Sequence, residues 1–266
     1  MTIFINLLPY MRDEEQLDQF LKRWKGGIEV VTEGYDWSNN ATDWNKQNPK
    51  FQAFSGPISV HTPIFDLNLA APRYSVLTEY SYEIYEQALQ WSARLGAKHA
   101  VIHPNLQSTP IYHREETQQC SKNYLRKLGE MGEALGVKVV VENVGFHECA
   151  LYDEDEFVEL FNEIPSIDAL LDVGHAHING WDIPRMIERL GERLTVVHLH
   201  DNNGLYDEHV PIGEGTIEWD GIWRALERAQ HKIDLILEYN IGTSTELLLE
   251  HAEALEHNMG KLGSPV

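Results

Sequence analysis

Basic residues are scarce in this chain. Lysine and arginine number 21 against 42 aspartates and glutamates, a formal net charge of −21 at pH 7. Such a field repels polyanions. Non-specific affinity for nucleic acid comes mainly from neutralising phosphates, so the balance argues against a general DNA or RNA binder. Cysteine is almost missing. Cys120 and Cys149 are the 2 present; they make no C-x-x-C unit and no disulfide framework, as befits reduced thiols in the cytoplasm. No apolar run approaches the roughly 20 residues that span a bilayer. The opening MTIFINLLPYMRDEE has no basic segment of the signal-peptide kind. Low-complexity tracts, linkers and internal repeats are also absent, and the expectation is one soluble domain over residues 1–266 with no membrane association. The sequence leaves a homo-oligomer open.

What is present is alternation. Short apolar runs at 2–7, 28–31, 58–61, 98–103, 138–142, 168–172, 194–198 and 233–238 read as eight strands. Helical periodicity separates most of them, at 13–24, 77–95, around Leu125–Leu135, and at 154–162, 183–190, 219–229 and 245–257. Gly96 and Gly136 stand where a helix ends. The strands lack polar alternation, which marks a parallel sheet buried on both faces. Eight such units in about 250 residues imply a (β/α)₈ TIM barrel. An open doubly wound sheet is the alternative, but no glycine-rich phosphate turn follows the first strand. The stretch 32–56 reads as irregular, and its Tyr35, Trp37, Trp44, Phe51 and Phe54 suit either aromatic packing or a cover over a substrate.

Six consecutive strands finish in a metal-ligand type: His61, His103, Glu142, Asp172, His198 and Glu238. Barrel enzymes place their chemistry at the carboxyl ends of strands. One such histidine is commonly structural or solvated, but six in succession point to a shared site. Converging carboxylates repel each other unless a divalent cation offsets them. Further donors follow in the loops: His175 in LLDVGHAHING, then Asp207 and His209 in HLHDNNGLYDEHVPIGEG. Imidazole and carboxylate together suit Zn, Mn or Co, and the oxygen donors also admit Mg.

These motifs resemble the xylose isomerase-like TIM-barrel superfamily, which joins sugar isomerases and epimerases to endonuclease IV-type apurinic-site endonucleases. The resemblance runs from His61 to Glu238. It implies one divalent metal on Glu142, Asp172, His198 and Glu238, with Glu142 and Glu238 exchanging protons with a sugar carbon. The endonucleases keep those four and add ligands for two more zincs, which match His61, His103, His175, Asp207 and His209 here.

Both chemistries use the same ring of ligands, so the choice rests on the loops. DNA enzymes need basic or wedging residues there. DLNLAAP after His61, NVGFHECALYDEDE after Glu142 and DNNGLYDEH after His198 are acidic or neutral, with only Arg73 and Arg114 placed nearby. A metal-dependent isomerase or epimerase acting on a neutral sugar or polyol is favoured over a zinc phosphodiesterase acting on abasic DNA. A non-catalytic or lyase use of the barrel is the third reading. His175, His209 and Trp181 are assigned to substrate contact; Trp37, Trp44, Phe65 and His177 suit either that role or packing.

Overall fold

A computed structural model of the protein describes residues 1–32 and 41–258. Eight strands run β1 (Ile3–Asn6), β2 (Gly27–Val31), β3 (Ile58–His61), β4 (His99–Ile102), β5 (Lys138–Glu142), β6 (Asp168–Asp172), β7 (Leu194–Leu199) and β8 (Asp234–Leu237). They follow one another in sequence order around a closed barrel. The register of β1 sets Asn6 opposite Glu29 on β2, and Ile5 opposite Leu237 on β8, both in parallel. His198 on β7 stands opposite Ile236. Every residue of β1, β3, β4, β6 and β8 is buried, which accounts for strands that read as unbroken apolar runs.

Helices separate the strands: α1 (Glu14–Arg23), α2 (Ala41–Gln52), α3 (Ser75–Leu95), α4 (Arg114–Leu135), α5 (Glu154–Glu163), α6 (Val173–Ile178), α7 (Ile183–Leu190), α8 (Trp219–Arg228) and α9 (Thr245–Asn258). Helix α7 shows how the sequence makes one. Asp182 caps it by accepting from the Arg185 N–H at 3.1 Å, and Pro184 occupies its first turn. Ile183, Met186, Ile187 and Leu190 then fall on one face and are buried, each contributing roughly 1.5–3 kcal/mol of transfer free energy. Gly96 and Gly136 end α3 and α4 with φ of 68° and 72°, left-handed conformations that favour glycine.

Several expectations need correction. The stretch 32–56 is not irregular throughout, since α2 occupies much of it. Within it Trp44 and Phe51 are buried, Trp44 against Trp91 with ring centroids 6.0 Å apart, so these aromatics pack. Tyr35 and Trp37 lie outside the described residues. A short helix, α6, also follows Asp172 directly. Strand β7 ends at Leu199, so His198 is its penultimate residue, while His103 and Glu238 stand one residue beyond β4 and β8. No helix among the described residues is long and apolar enough to cross a membrane.

By compactness the chain divides into two units, Met1–Glu29 with Leu170–Val266, and Val30–Ala169. Each holds its own share of the ligand-type residues.

Candidate metal centre

In the unit Val30–Ala169, strands β3, β4 and β5 deliver His61, His103 and Glu142, all buried. Glu142 Oε2 lies 3.0 Å from His103 Nε2 and 3.6 Å from His61 Nε2. The two rings meet edge to face, centroids 5.2 Å apart. His61 Nδ1 lies 3.2 Å from the Thr62 carbonyl oxygen. A carbonyl can only accept, so Nδ1 carries a proton and Nε2 is the nitrogen turned to Glu142. One carboxylate oxygen and two imidazole nitrogens thus converge, with each ligand atom within 4.8 Å of the others.

The other unit holds a denser group. His198 is fully buried and faces three buried carboxylates. Its Nδ1 is 2.8 Å from Glu238 Oε2 and 3.6 Å from Asp172 Oδ2, while its Nε2 is 3.0 Å from Glu29 Oε1. Asp172 also caps α6, its Oδ1 accepting from the His175 N–H at 2.7 Å. That cap is why the chain turns helical as soon as β6 ends, and it swings His175 back toward the strand ends. His200 Nε2 reaches Asp172 Oδ1 and Oδ2 at 3.1 and 3.0 Å.

The loop after β7 completes this unit. Asp207 Oδ2 lies 3.2 Å from both His175 Nε2 and His209 Nε2. His209 Nδ1 donates to the Glu238 carbonyl at 3.0 Å, which directs its Nε2 to Asp207. Its ring stacks on His200, centroids 3.9 Å apart and 8° from parallel. His209 adopts a left-handed backbone (φ 49°) to reach this place, a conformation uncommon outside glycine.

The electrostatics are those of a site built for positive charge. Burial alone would suppress the charged form of His198, yet Glu238 and Glu29 hold its pKa well above the ordinary imidazole value. Burial likewise opposes ionisation of Asp172 and Asp207. Their histidines prevail and keep both carboxyls well below the usual range, His175 and His200 acting on Asp172, and His175 and His209 on Asp207. His209, despite its own burial, is pushed up to about 9 by Asp207. Glu29, Asp172 and Glu238 converge on His198, and a donor set of imidazole nitrogen and carboxylate oxygen fits a divalent cation.

Of the residues picked from the sequence, the structure gathers His61, His103 and Glu142 in one unit, and Asp172, His175, His198, Asp207, His209 and Glu238 in the other. Trp181 stands in the turn after α6, half-buried, its N–H bonded to the Ala176 carbonyl at 2.9 Å. Asp201 serves the loop itself. Its carboxylate accepts from the N–H groups of Asn202, Ile217 and Gly213 and from Trp219 Nε1, at 2.8–3.1 Å, and so staples the loop that positions Asp207 and His209. Arg114 is bound to Glu156 and the Ala150 carbonyl, and Arg73 lies 3.8 Å from Glu116. Sequence reasoning passed over Glu29, Asn6 and the role of His200. Glu29 carried a signal, an acid inside an apolar strand.

Known proteins resemble this chain to different depths. Inosose isomerase of Bacillus subtilis is 29% identical over 131 residues, 48% of this chain and 45% of its own. A D-tagatose 3-epimerase-like protein of known structure superposes with a TM-score of 0.80 at 23% identity, covering 96% of this chain and 97% of that one. The crystal structure of IOLI protein with a bound zinc atom superposes with a TM-score of 0.76 at 21% identity, covering 98% of each chain. The family model described as xylose isomerase-like TIM barrel matches residues 26–260. With that match over most of its length, this chain belongs to the xylose isomerase-like TIM barrel family.

Proposed function

We propose that the protein is a divalent-metal-dependent sugar isomerase or epimerase, with a neutral sugar or polyol as substrate. The observation that carries this reading is the buried group of Asp172, His198 and Glu238. Glu142 joins them as the fourth ligand, in keeping with the family pattern. The inosose isomerase relative and the zinc in the IOLI structure support it.

Zn, Mn, Co or Mg held there supplies Lewis-acid polarisation of the sugar's carbonyl and neighbouring hydroxyl oxygens. The chain's own residues do the rest. One of Glu142 and Glu238 removes the proton from the carbon next to the carbonyl. The other glutamate gives a proton back, to the opposite face of that carbon in an epimerase or to its neighbour in an isomerase. Each glutamate stands beside a histidine nitrogen, at 3.0 Å for Glu142 and 2.8 Å for Glu238. His175, His209 and Trp181 contact the sugar. Arg73 and Arg114 already face carboxylates, and this favours a substrate without a phosphate for them to clamp.

Solvent-deuterium incorporation into a turned-over ketose or inosose, followed by NMR, tests the mechanism. Wild type exchanges the proton next to the carbonyl. Glu142→Gln and Glu238→Gln keep the metal and turn over about 10²–10⁴-fold more slowly. Wild-type exchange rates in both variants would remove the glutamates from the reaction.

One observation favours a second reading. His61, His103 and Glu142 form one further three-donor group, and His175, Asp207 and His209 another. A zinc phosphodiesterase acting on abasic DNA would fill all three sites. Three metal equivalents in the wild type together with incision of abasic DNA would establish it.

A further inference from the structure

We infer that Glu29 and Asn6 act as a positioning pair, deciding which atoms of His198 and Glu238 are presented to the cation. This rests on the metal-dependent reading above.

The pair comes from the register of the sheet. Asn6 ends β1 and stands opposite Glu29 on β2. Both side chains are fully buried, where an acid and an amide cost free energy unless they meet polar partners. The Asn6 amide is oriented from outside the site. Its Oδ1 accepts from the Leu8 N–H at 2.8 Å, so its Nδ2 must face the other way. There Nδ2 donates to Glu29 Oε1 at 2.8 Å and to Glu238 Oε1 at 3.0 Å. Glu238 is left with Oε2 for other work, 2.8 Å from His198 Nδ1.

Glu29 completes the arrangement from behind. Its Oε1 sits 3.0 Å from His198 Nε2. A carboxylate at that distance is placed to back Nε2 when Nδ1, on the side of Asp172 and Glu238, takes the cation. Imidazole ligands are commonly backed by a carboxylate or carbonyl in this way, and the backing raises their basicity. The same logic recurs where carbonyl oxygens take the Nδ1 protons of His61 and His209. His198 differs in using a charged acceptor and in turning its other nitrogen inward. Glu29 Oε1 is thus engaged by Asn6 Nδ2 and lies against His198 Nε2.

Metal affinity of wild type, Glu29→Gln and Asn6→Ala, read by competition with a chromophoric chelator, tests the pair, together with the visible spectrum of the Co²⁺ form. Both variants are expected to bind Co²⁺ or Zn²⁺ about 10–100-fold more weakly than wild type, with a changed Co²⁺ band. Metal-free Glu29→Gln should melt no lower than metal-free wild type, because a negative charge has left a crowded group. A residue that merely supports the fold gives the opposite pattern, a lower metal-free melting temperature with affinity and spectrum unchanged, and that result overturns the inference. Two variants guard against one that fails to fold; unchanged affinity and spectrum in either folded variant is enough to reject it. A wild type that takes up no metal defeats the metal-dependent reading as well, whereas equal metal binding in wild type and variants defeats only this one.

Discussion

His209 shows how much a single side chain is asked to do. It sits in a left-handed backbone, gives its Nδ1 proton to the Glu238 carbonyl, stacks on His200 and faces Asp207. Asp207 in turn is held between two imidazoles, His175 and His209, each 3.2 Å away. This trio already satisfies its own charges, so it can serve as a rigid wall of hydrogen-bonding groups for a sugar. On the isomerase reading, His209→Ala keeps the wild-type metal content and loses turnover, by about 10–100-fold for one hydrogen bond to a charged group. Elemental analysis beside the kinetics checks this. Loss of one full metal equivalent would instead make the trio a site in its own right.

Helix α5 stands apart from the metal chemistry and gives a clean electrostatic test. Asp153 and Glu156 form a reciprocal capping box, Asp153 Oδ1 accepting from the Glu156 N–H at 2.9 Å and Glu156 Oε2 from the Asp153 N–H at 2.9 Å. Arg114 at the start of α4 adds two bonds of 3.1 Å to the same carboxylate. Burial would raise the Glu156 carboxyl, but Arg114 and the Asp153 N–H lower it to about 2. Its folded pKa lies below the ordinary value, so its contribution to stability is full above pH ~4.5 and is lost as pH falls toward about 2. Water screens the partly exposed pair, and the cap sets the scale. Glu156→Gln should cost about 1 kcal/mol at pH 7 in urea titrations, and the gap to wild type should narrow below pH ~4.5 and close only once the pH is below about 2. A gap that persists there would mean the charge is irrelevant. The capping signal was local, and local signals are what a sequence displays well. The eight strands were legible for the same reason, being short apolar runs with ligand types at their ends. Helix α2 was not, since ATDWNKQNPKFQ has no apolar period and contains Pro49. Nor was α6, whose six residues are too few for periodicity and which begins on the Asp172 cap. Glu29 and Asn6 escaped notice because their meaning depends on pairing across the sheet, which no single stretch of sequence contains.

The charge of the whole chain bears on the choice between sugar and DNA. Both chemistries use the same donors, so the ligand groups alone do not separate them. A duplex presents a dense line of phosphates, and a protein that grips it must release counterions with lysines and arginines. This chain has half as many of those as it has acids, 21 against 42. The two arginines close in sequence to the strand ends are turned to carboxylates, Arg73 toward Glu116 and Arg114 toward Glu156. Freeing Arg114 would break its bonds to Glu156 and to the Ala150 carbonyl, a cost that phosphate contact would have to exceed. A small uncharged sugar faces no such barrier, and a buried group rich in carboxylates attracts the cation it needs. Metal-loaded protein should therefore bind a fluorescent duplex containing one abasic site more weakly than about 10⁻⁴ M at physiological salt, the weak end of non-specific binding. Lowering the salt should bring little gain, because few phosphate contacts mean few counterions released. Fluorescence anisotropy across a salt series, with gel analysis of strand scission in the same samples, reads both quantities. Micromolar binding that weakens steeply with salt, accompanied by incision at the abasic site, would show that a local basic surface overrides the global field and would return the barrel to the phosphodiesterase reading.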